Sequence, residues 1–480
     1  MIKKILLPVL SLCCAGTIFA GGILTNTNQS IHFLRNPARG ASIEIDAAYT
    51  NPAGLVKLPF EGFHFGFTNQ SVSQTRTIST EFAPFVGFGG LASKEFKGEA
   101  TAPIVPSIQA AYKKGSWVLS GNIAISGGGG KATFNRGLPS FEAPISMLPM
   151  GINNLGLKLG QMNPGSTLTA DKYSVDSYME GSSMIYGAQM GGSYAINSMF
   201  SVYGGFRMNI VNNGYEGHIR NIKTNPTSNI PGFGNGSMVS ASDYFAQLAQ
   251  MPGLPQEDKD ALLLQSASTK DKYLDSKQSG WGVTPIVGFN FNWEKLNVGI
   301  KYEFRSSLDI ANKTKVDDTG SFKDGVNTPH DIPALFTIGA QYDIIKNVRL
   351  SAGYHRFFDS NANMDKDKQK HINGGTNEYL AGIEWQINDM FLISGGGQIT
   401  RQGVKDAYQA DLSYALDSYS LGFGGAVNVS PRVRINLAYF FTNYDNWTKV
   451  TAKYAETPLQ GTEIFSRTNK IFGAGVDFRF

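Results

Sequence analysis

The chain has 480 residues, with 42 Lys and Arg against 38 Asp and Glu, a balance that gives no support to a nucleic-acid role. Its 55 glycines, 31 phenylalanines and 20 tyrosines, with few helix formers in series, point to a large all-β protein. The two cysteines are Cys13 and Cys14, so the rest of the chain is held together without disulfides.

The chain opens on "MIKKILLPVLSLCCAGTIFAGG". Two lysines, an apolar run from Ile5 to about Ala20 and then small residues are the layout of a secretory signal peptide over residues 1–20. The run is shorter than the roughly 20 apolar residues of a spanning helix. Leu12, ahead of Cys13, does not suit lipidation of that cysteine.

Residues 21–58 follow, polar and broken by proline, and they hold Asn-Pro-Ala twice, in "FLRNPARG" and "AYTNPAGL". Pro37 and Pro52 fix the backbone without needing a donor partner. They push Asn36 and Asn51 to extended geometry, while Ala38, Ala53 and Gly54 allow close approach to a wall. An amide both donates and accepts. Such a segment is suited to packing compactly without secondary structure, although an ordinary linker has the same residues.

From Phe63 the chain alternates with period two, in about fourteen segments of roughly ten residues. "FEGFHFGFTNQS" sets Phe63, Phe65 and Phe67 on one face. "MFSVYGGFRMNI" sets Phe200, Val202, Phe206, Met208 and Ile210 opposite Ser201, Tyr203, Arg207 and Asn209. In "KLNVGIKYEFRSS", Leu296, Val298, Ile300 and Tyr302 oppose Asn297, Lys301, Glu303 and Arg305.

Short connections take turns with long ones, placed at about 73–100, 127–181, 213–279, 306–329, 359–375, 402–411 and 445–466. That asymmetry predicts an even-stranded transmembrane β-barrel, all-β, antiparallel and 14-stranded, over residues 59–480. Lys301 or Arg305 facing lipid would cost about 2 to 4 kcal/mol each near the midplane, so the apolar face must be the outer one. Trp281 and Trp293 stand twelve residues apart on that face, about 40 Å along a strand, or roughly 28 Å across the membrane at 45° tilt. Phe480, closing the last alternating strand, is the residue that barrel-assembly machinery is expected to read. Fourteen strands enclose a lumen too wide for strand side chains to fill, which makes residues 21–58 the candidate plug, or hatch.

The leader, the mature start "GGILTNTNQS", "AYTNPAGL" ahead of the first strand and a barrel ending in "FGAGVDFRF" together resemble the outer-membrane transporters of long-chain fatty acids and other hydrophobic compounds (FadL/TodX type). The resemblance implies a barrel occluded by an N-terminal hatch and an external apolar groove that captures ligand. It further implies an inner site beside the hatch, near Asn51, Pro52 and Ala53, and exit through a gap in the wall. The family's gap goes with a kink in the third strand, here "SWVLSGNIAISGGGG".

Two long loops are the groove candidates. Residues 138–155 include Phe141, Leu148 and Met150, and "SDYFAQLAQMPGLPQEDKDALLLQ" has the spacing of two short amphipathic helices. Apolar loops of this kind mark binding surfaces, unless the side chains merely pack the loops together. For an acidic head group the lumen-facing cations Arg207, Lys301, Arg305 and Arg349 are candidates, with service to neighbours such as Glu303 as the alternative. Six scattered histidines form no metal-spaced pair, and no nucleophile elbow, zinc-helix or phosphate-loop motif is present. The expectation is therefore a transporter rather than an enzyme, without cofactor or metal, its partners hydrophobic small molecules and outer-membrane lipid. A general diffusion porin and an outer-membrane lipid hydrolase are the alternatives.

Overall fold

The computed structural model describes residues 23–480. The signal peptide expected over residues 1–20 lies outside them. Among the described residues, the ring is built from fourteen strands: β1 Gly62–Glu81, β2 Ser93–Lys114, β3 Trp117–Phe134, β4 Tyr173–Ala195, β5 Phe200–Thr224, β6 Lys272–Trp293 and β7 Leu296–Glu303, beyond whose end the separate piece Asp309–Asp317 also pairs with β6. They continue as β8 Leu335–Ile345, β9 Val348–Phe357, β10 Asn377–Gln386, β11 Phe391–Arg401, β12 Ser418–Ser430, β13 Val433–Tyr444 and β14 Gly461–Arg479. Each is antiparallel to its chain neighbours, and β1 pairs with β14 from His64↔Arg479 to Glu81↔Thr462, which closes the ring.

The alternation sorts the side chains as its energetics require. Phe63, Phe206, Trp281, Trp293 and Phe480 are exposed on the outer face, whereas Ser201, Arg207, Asn209, Asn297, Lys301 and Glu303 are buried inside. β7 stops at Glu303, so Arg305 leaves the inward row and stands exposed, donating to the Asn361 carbonyl (2.8 Å).

The wall is uneven. β1 to β6 and β14 have between 18 and 25 residues, and β7 to β13 between 8 and 13. The tall strands consume much of what the sequence reads as loop, reducing the first three long connections to residues 82–92, 135–172 and 225–271. The physical reason is visible on β6. Beyond Trp281 the outward residues become Ser279, Lys277 and Asp275 while the inward row, through Gln278 and Ser276, ends on the apolar Leu274, so the continuous apolar outer row that marks a lipid-facing strand is lost.

That apolar inner rim is roofed by four helices: α3 Pro139–Ser146, α4 Leu148–Met162, α5 Ala241–Leu248 and α6 Gln256–Ser268. They share one hydrophobic cluster with Ile78, Phe82, Phe134, Met179, Ile219 and Leu274. At the start of α5, Ser240 Oγ accepts from the Asp243 amide, and Lys158 on α4 pairs with Asp258 on α6.

Lower down, the inner face is polar and is occupied by the N-terminal segment. It contains two one-turn helices, α1 Ile31–Arg35 and α2 Ala47–Thr50, and a 3-10 turn at Pro52–Lys57. The first packs on β12 and β13, and the 3-10 turn on β4, β5 and β6.

Candidate functional site

Each Asn-Pro-Ala copy ends a short helix. The Asn36 amide donates to the His32 carbonyl and the Asn51 amide to the Ala47 carbonyl, and both asparagines take extended φ values, −158° and −149°. The proline that follows cannot continue the helix and forces that geometry. Freed from the helix, each side chain reaches the wall. Asn36 Nδ2 donates to Ser351 Oγ (3.0 Å) and Asn51 Nδ2 to Asn290 Oδ1 (2.8 Å). The carbonyls of Pro52 and Ala53 accept from Ser193 and Ser201, both at 2.7 Å. The wall is notched with glycine where the segment leans on it. A Cβ on Gly382 would stand 2.0 Å from Asn36 Oδ1, and one on Gly299 2.3 Å from the Gly40 carbonyl.

Charge locks the same seat. Arg39 donates to Asp46, Glu44 and Glu384, Arg35 pairs with Glu384, and Arg434 reaches Glu44 from β13 (2.7 Å). Burial alone would raise the Glu44 and Asp46 carboxyls. Arg434 and Arg39 outweigh it at Glu44, holding it well below the usual carboxylate range, and Arg39 lowers Asp46 likewise.

The cations that the sequence offers for an acidic head group are committed. Arg207 grips both oxygens of Glu303 (2.7 and 2.9 Å). Lys301 Nζ donates to Glu303 (2.6 Å) and to the Tyr49 carbonyl (2.7 Å), and it lies 4.2 Å from the Tyr49 ring centroid. Arg349 pairs with Asp343 (2.7 Å). The structure thus brings Asn51, Pro52, Ala53, Arg207 and Lys301 together around the N-terminal segment and leaves Arg305 apart.

Beside Lys301 lies a narrow cavity lined by Phe33, Pro37, Tyr49, Leu335, Thr337 and His355. The sequence reading misses Thr337 and His355. Their only signal is an inward position on β8 and β9, and neither strand carries a motif.

Phe141, Leu148 and Met150 stand elsewhere, in the helical roof. Phe141 and Leu148 are buried in its cluster, and Met150 is 38% exposed together with Leu157 on α4 and Leu263 and Leu264 on α6. Most of the apolar loop residues therefore pack against one another, and a smaller set faces outward.

The wall itself is interrupted. β2 and β3 pair from Ala100↔Ala132 outward and from Ile108↔Ile123 inward, and among the described residues no pairing joins them between. Over that stretch β3 slips twice against β4, at Ile125/Gly127 and Gly128/Gly130, with Gly128 and Gly129 at φ +65° and +118°. Only glycine takes such values without strain. N-terminal residues cover the inside of the break. Asn26 Nδ2 donates to the Gly128 carbonyl (2.9 Å), and Gln29 is held by Ser107 of β2 (2.6 Å) and Asn122 of β3 (2.9 Å).

No family model and no curated protein matches the chain. Among solved structures it is similar to a Pseudomonas aeruginosa FadL homologue, at 10% identity and a TM-score of 0.61 over 95% of this chain and 99% of that one. It is also similar to the Pseudomonas putida toluene transporter TodX, at 13% identity and a TM-score of 0.52 over 97% and 100%. At such identities the likeness speaks to architecture: the chain has the FadL-type fold, a closed 14-stranded antiparallel β-barrel.

Proposed function

We propose that this chain carries hydrophobic compounds, long-chain fatty acids or molecules like them, across the bacterial outer membrane. Ligand is captured by the exposed apolar residues of the roof around Phe141, Leu148 and Met150, passes to the lumen beside residues 21–58, and leaves sideways between β2 and β3. Residues 21–58 serve as the hatch, with Asn51, Pro52 and Ala53 as its fixed end and Arg207 and Lys301 as its latch through Glu303 and Tyr49. Phe480, exposed at the chain end, is the mark for the assembly machinery.

The observation that carries this reading is the unpaired stretch between β2 and β3. An open sheet edge is costly in hydrocarbon, and a barrel built only for strength has no use for one. The neighbours add support, since one is described as a FadL homologue and another as a toluene transporter. A filled lumen also fits a carrier of apolar cargo better than a general diffusion porin.

The test is binding of labelled oleate to detergent-purified protein, alongside conductance in planar bilayers. Saturable binding that drops when residues 138–155 are removed, with little steady conductance, is the expected result. Large steady conductance without saturable binding overturns the proposal in favour of a porin.

A further inference from the structure

On the outer face of the tall wall, one rung is cationic. Register pairs Lys131 with Ser182, Ser182 with Gly214, Gly214 with Lys277, and Lys277 with Lys313, from β3 through β6 to the piece Asp309–Asp317. The three lysines are exposed. Their neighbours Gln278 and Asn312 point inward and bond to each other on the far side of the sheet (2.9 Å). Ser182 and Gly214 are small, so Lys131 and Lys277 stand at the two ends of a shallow saddle, three strand spacings or about 14 Å apart.

The height of the rung is set by Trp281. Lys277 lies four residues beyond it toward the long connections, about 13 Å along the strand and roughly 9 Å above it at 45° tilt. The head-group layer adds roughly 5 to 7 Å to the hydrocarbon on each side, and a long lysine side chain reaches across the remainder. The rung therefore addresses the head groups of the external leaflet.

The charges around it are layered. One outward step farther from the membrane the same strands carry Glu180, Glu216 and Asp275. Glu180 takes Lys131 (2.8 Å), and Asp275 takes Lys315 (2.9 Å). Beyond them Asp176 is met by both His218 and Arg220. Among the described residues no carboxylate pairs with Lys277 or Lys313.

Like charges directly opposite each other on neighbouring strands are destabilising. Lysines do blunt sheet edges, but β6 is paired on both sides at this point, so Lys277 protects no edge. On the low wall the arginines at the outer ends of β9 and β11 have local partners, Arg356 in Asn377 (2.8 Å) and Arg401 in Asp417 (3.7 Å). What offsets the Lys277 and Lys313 repulsion is an anion outside the barrel. With cations beside the membrane and carboxylates farther out, that anion sits at head-group level.

We propose that Lys277 and Lys313, with Lys131 across the saddle, seat a lipid of the external leaflet whose head group carries two separated phosphates. Two cationic ends with small residues between them match a bisphosphorylated glycolipid, whereas a single phosphate covers one end only. The seat is on the outer wall and does not depend on the route that cargo takes.

The experiment measures binding to the full-length protein in detergent by native mass spectrometry. The probes are lipid A with two phosphates, with one and with none, and inorganic phosphate. Wild type is set beside Lys277→Gln with Lys313→Gln, beside Lys131→Gln, and beside Lys295→Gln with Lys346→Gln, which removes the same charge at the short turns; heat-modifiable gel mobility confirms that each barrel is closed. Wild type is expected to prefer the bisphosphorylated lipid. The Lys277 and Lys313 pair should weaken it about fivefold for each lysine and leave the phosphate-free lipid unchanged. Lys131→Gln should remove the preference for two phosphates over one, and the short-turn pair should bind as wild type. Equal binding of all three lipids to wild type, or equal losses in the two double variants, overturns the proposal. Displacement of the lipid by millimolar inorganic phosphate overturns the lipid as occupant in favour of a free anion.

Discussion

At the scale of single residues, the seat of the N-terminal segment depends on side chains that are missing as much as on those present. A Cβ at Gly299 meets backbone at 2.3 Å, whereas one at Gly353, also inward, meets nothing closer than 3.6 Å. Backbone cannot swing aside as a flexible side chain can. Gly299→Ala is therefore expected to lift the segment from its seat and raise steady conductance in planar bilayers, and Gly353→Ala to leave conductance at the wild-type level. The buried carboxylates make a second residue-scale prediction. Glu44 is held below its ordinary value of 4.5, so its contribution is present above that value and fades as pH falls beneath it. Acidification from pH 7 to 3 should open conductance that returning to neutral pH closes. At constant pH, Arg39→Met should have the same effect, because removing one partner of a buried pair costs about 3 to 5 kcal/mol. How much of this is legible in sequence differs by residue. The wall-seeking role of Asn36 and Asn51 follows from the chemistry of Asn before Pro. The pairing of Lys301 with Glu303 is one of the alternatives the sequence offers, but its bond to Tyr49 is not, because the Tyr49 carbonyl that accepts from Nζ comes from a distant part of the chain.

At the scale of elements, β3 is the unusual one. Its glycine run reads in sequence as the end of a strand, yet the strand continues through it to Phe134, with two register slips. The slips are not legible in the sequence, because glycine permits a break without specifying one. Deleting Gly128 and Gly129 removes the residues at positive φ and brings β3 back toward plain register with β4. Oleate uptake in cells should fall to that of a strain lacking the protein, while saturable binding to the purified barrel persists. Loss of binding as well would instead indicate a collapsed lumen. The long connection between β7 and β8 makes a separate pH prediction. His330, beside the low wall, is buried with Nε2 unpartnered, and burial brings it from 6.5 to about 4. The unfolded chain thus takes up a proton at a higher pH than the folded one, so stability is full above about pH 6.5 and drains as pH drops toward 4, by about 3 kcal/mol in all. Protease protection of the long loops should follow that course, and His330→Phe should flatten it.

At the scale of the whole molecule, what an outward residue costs depends on how deep it sits. The sequence marks the membrane band well, since Trp281, Val283, Val287, Phe289 and Trp293 all stand outward on β6. It marks the height of the wall poorly, because outside hydrocarbon nothing requires the outer face to be apolar. Lys277 and Asp275 are as well placed in water there as in a loop. Fourteen strands were countable for the first reason, and their lengths were not for the second. The same physics makes a graded prediction along one strand. Val287 is halfway between the two tryptophans and 48% exposed, so Val287→Arg puts a cation at the midplane and should cost about 2 to 4 kcal/mol. Ser279→Arg, on the same face just beyond Trp281, meets the interface and should cost only about 0 to 1 kcal/mol. Guanidinium unfolding of both variants in lipid vesicles measures the difference. If the two costs are equal, the band does not lie between the tryptophans, and the inward residues from Arg207 to Glu303 are not at membrane depth.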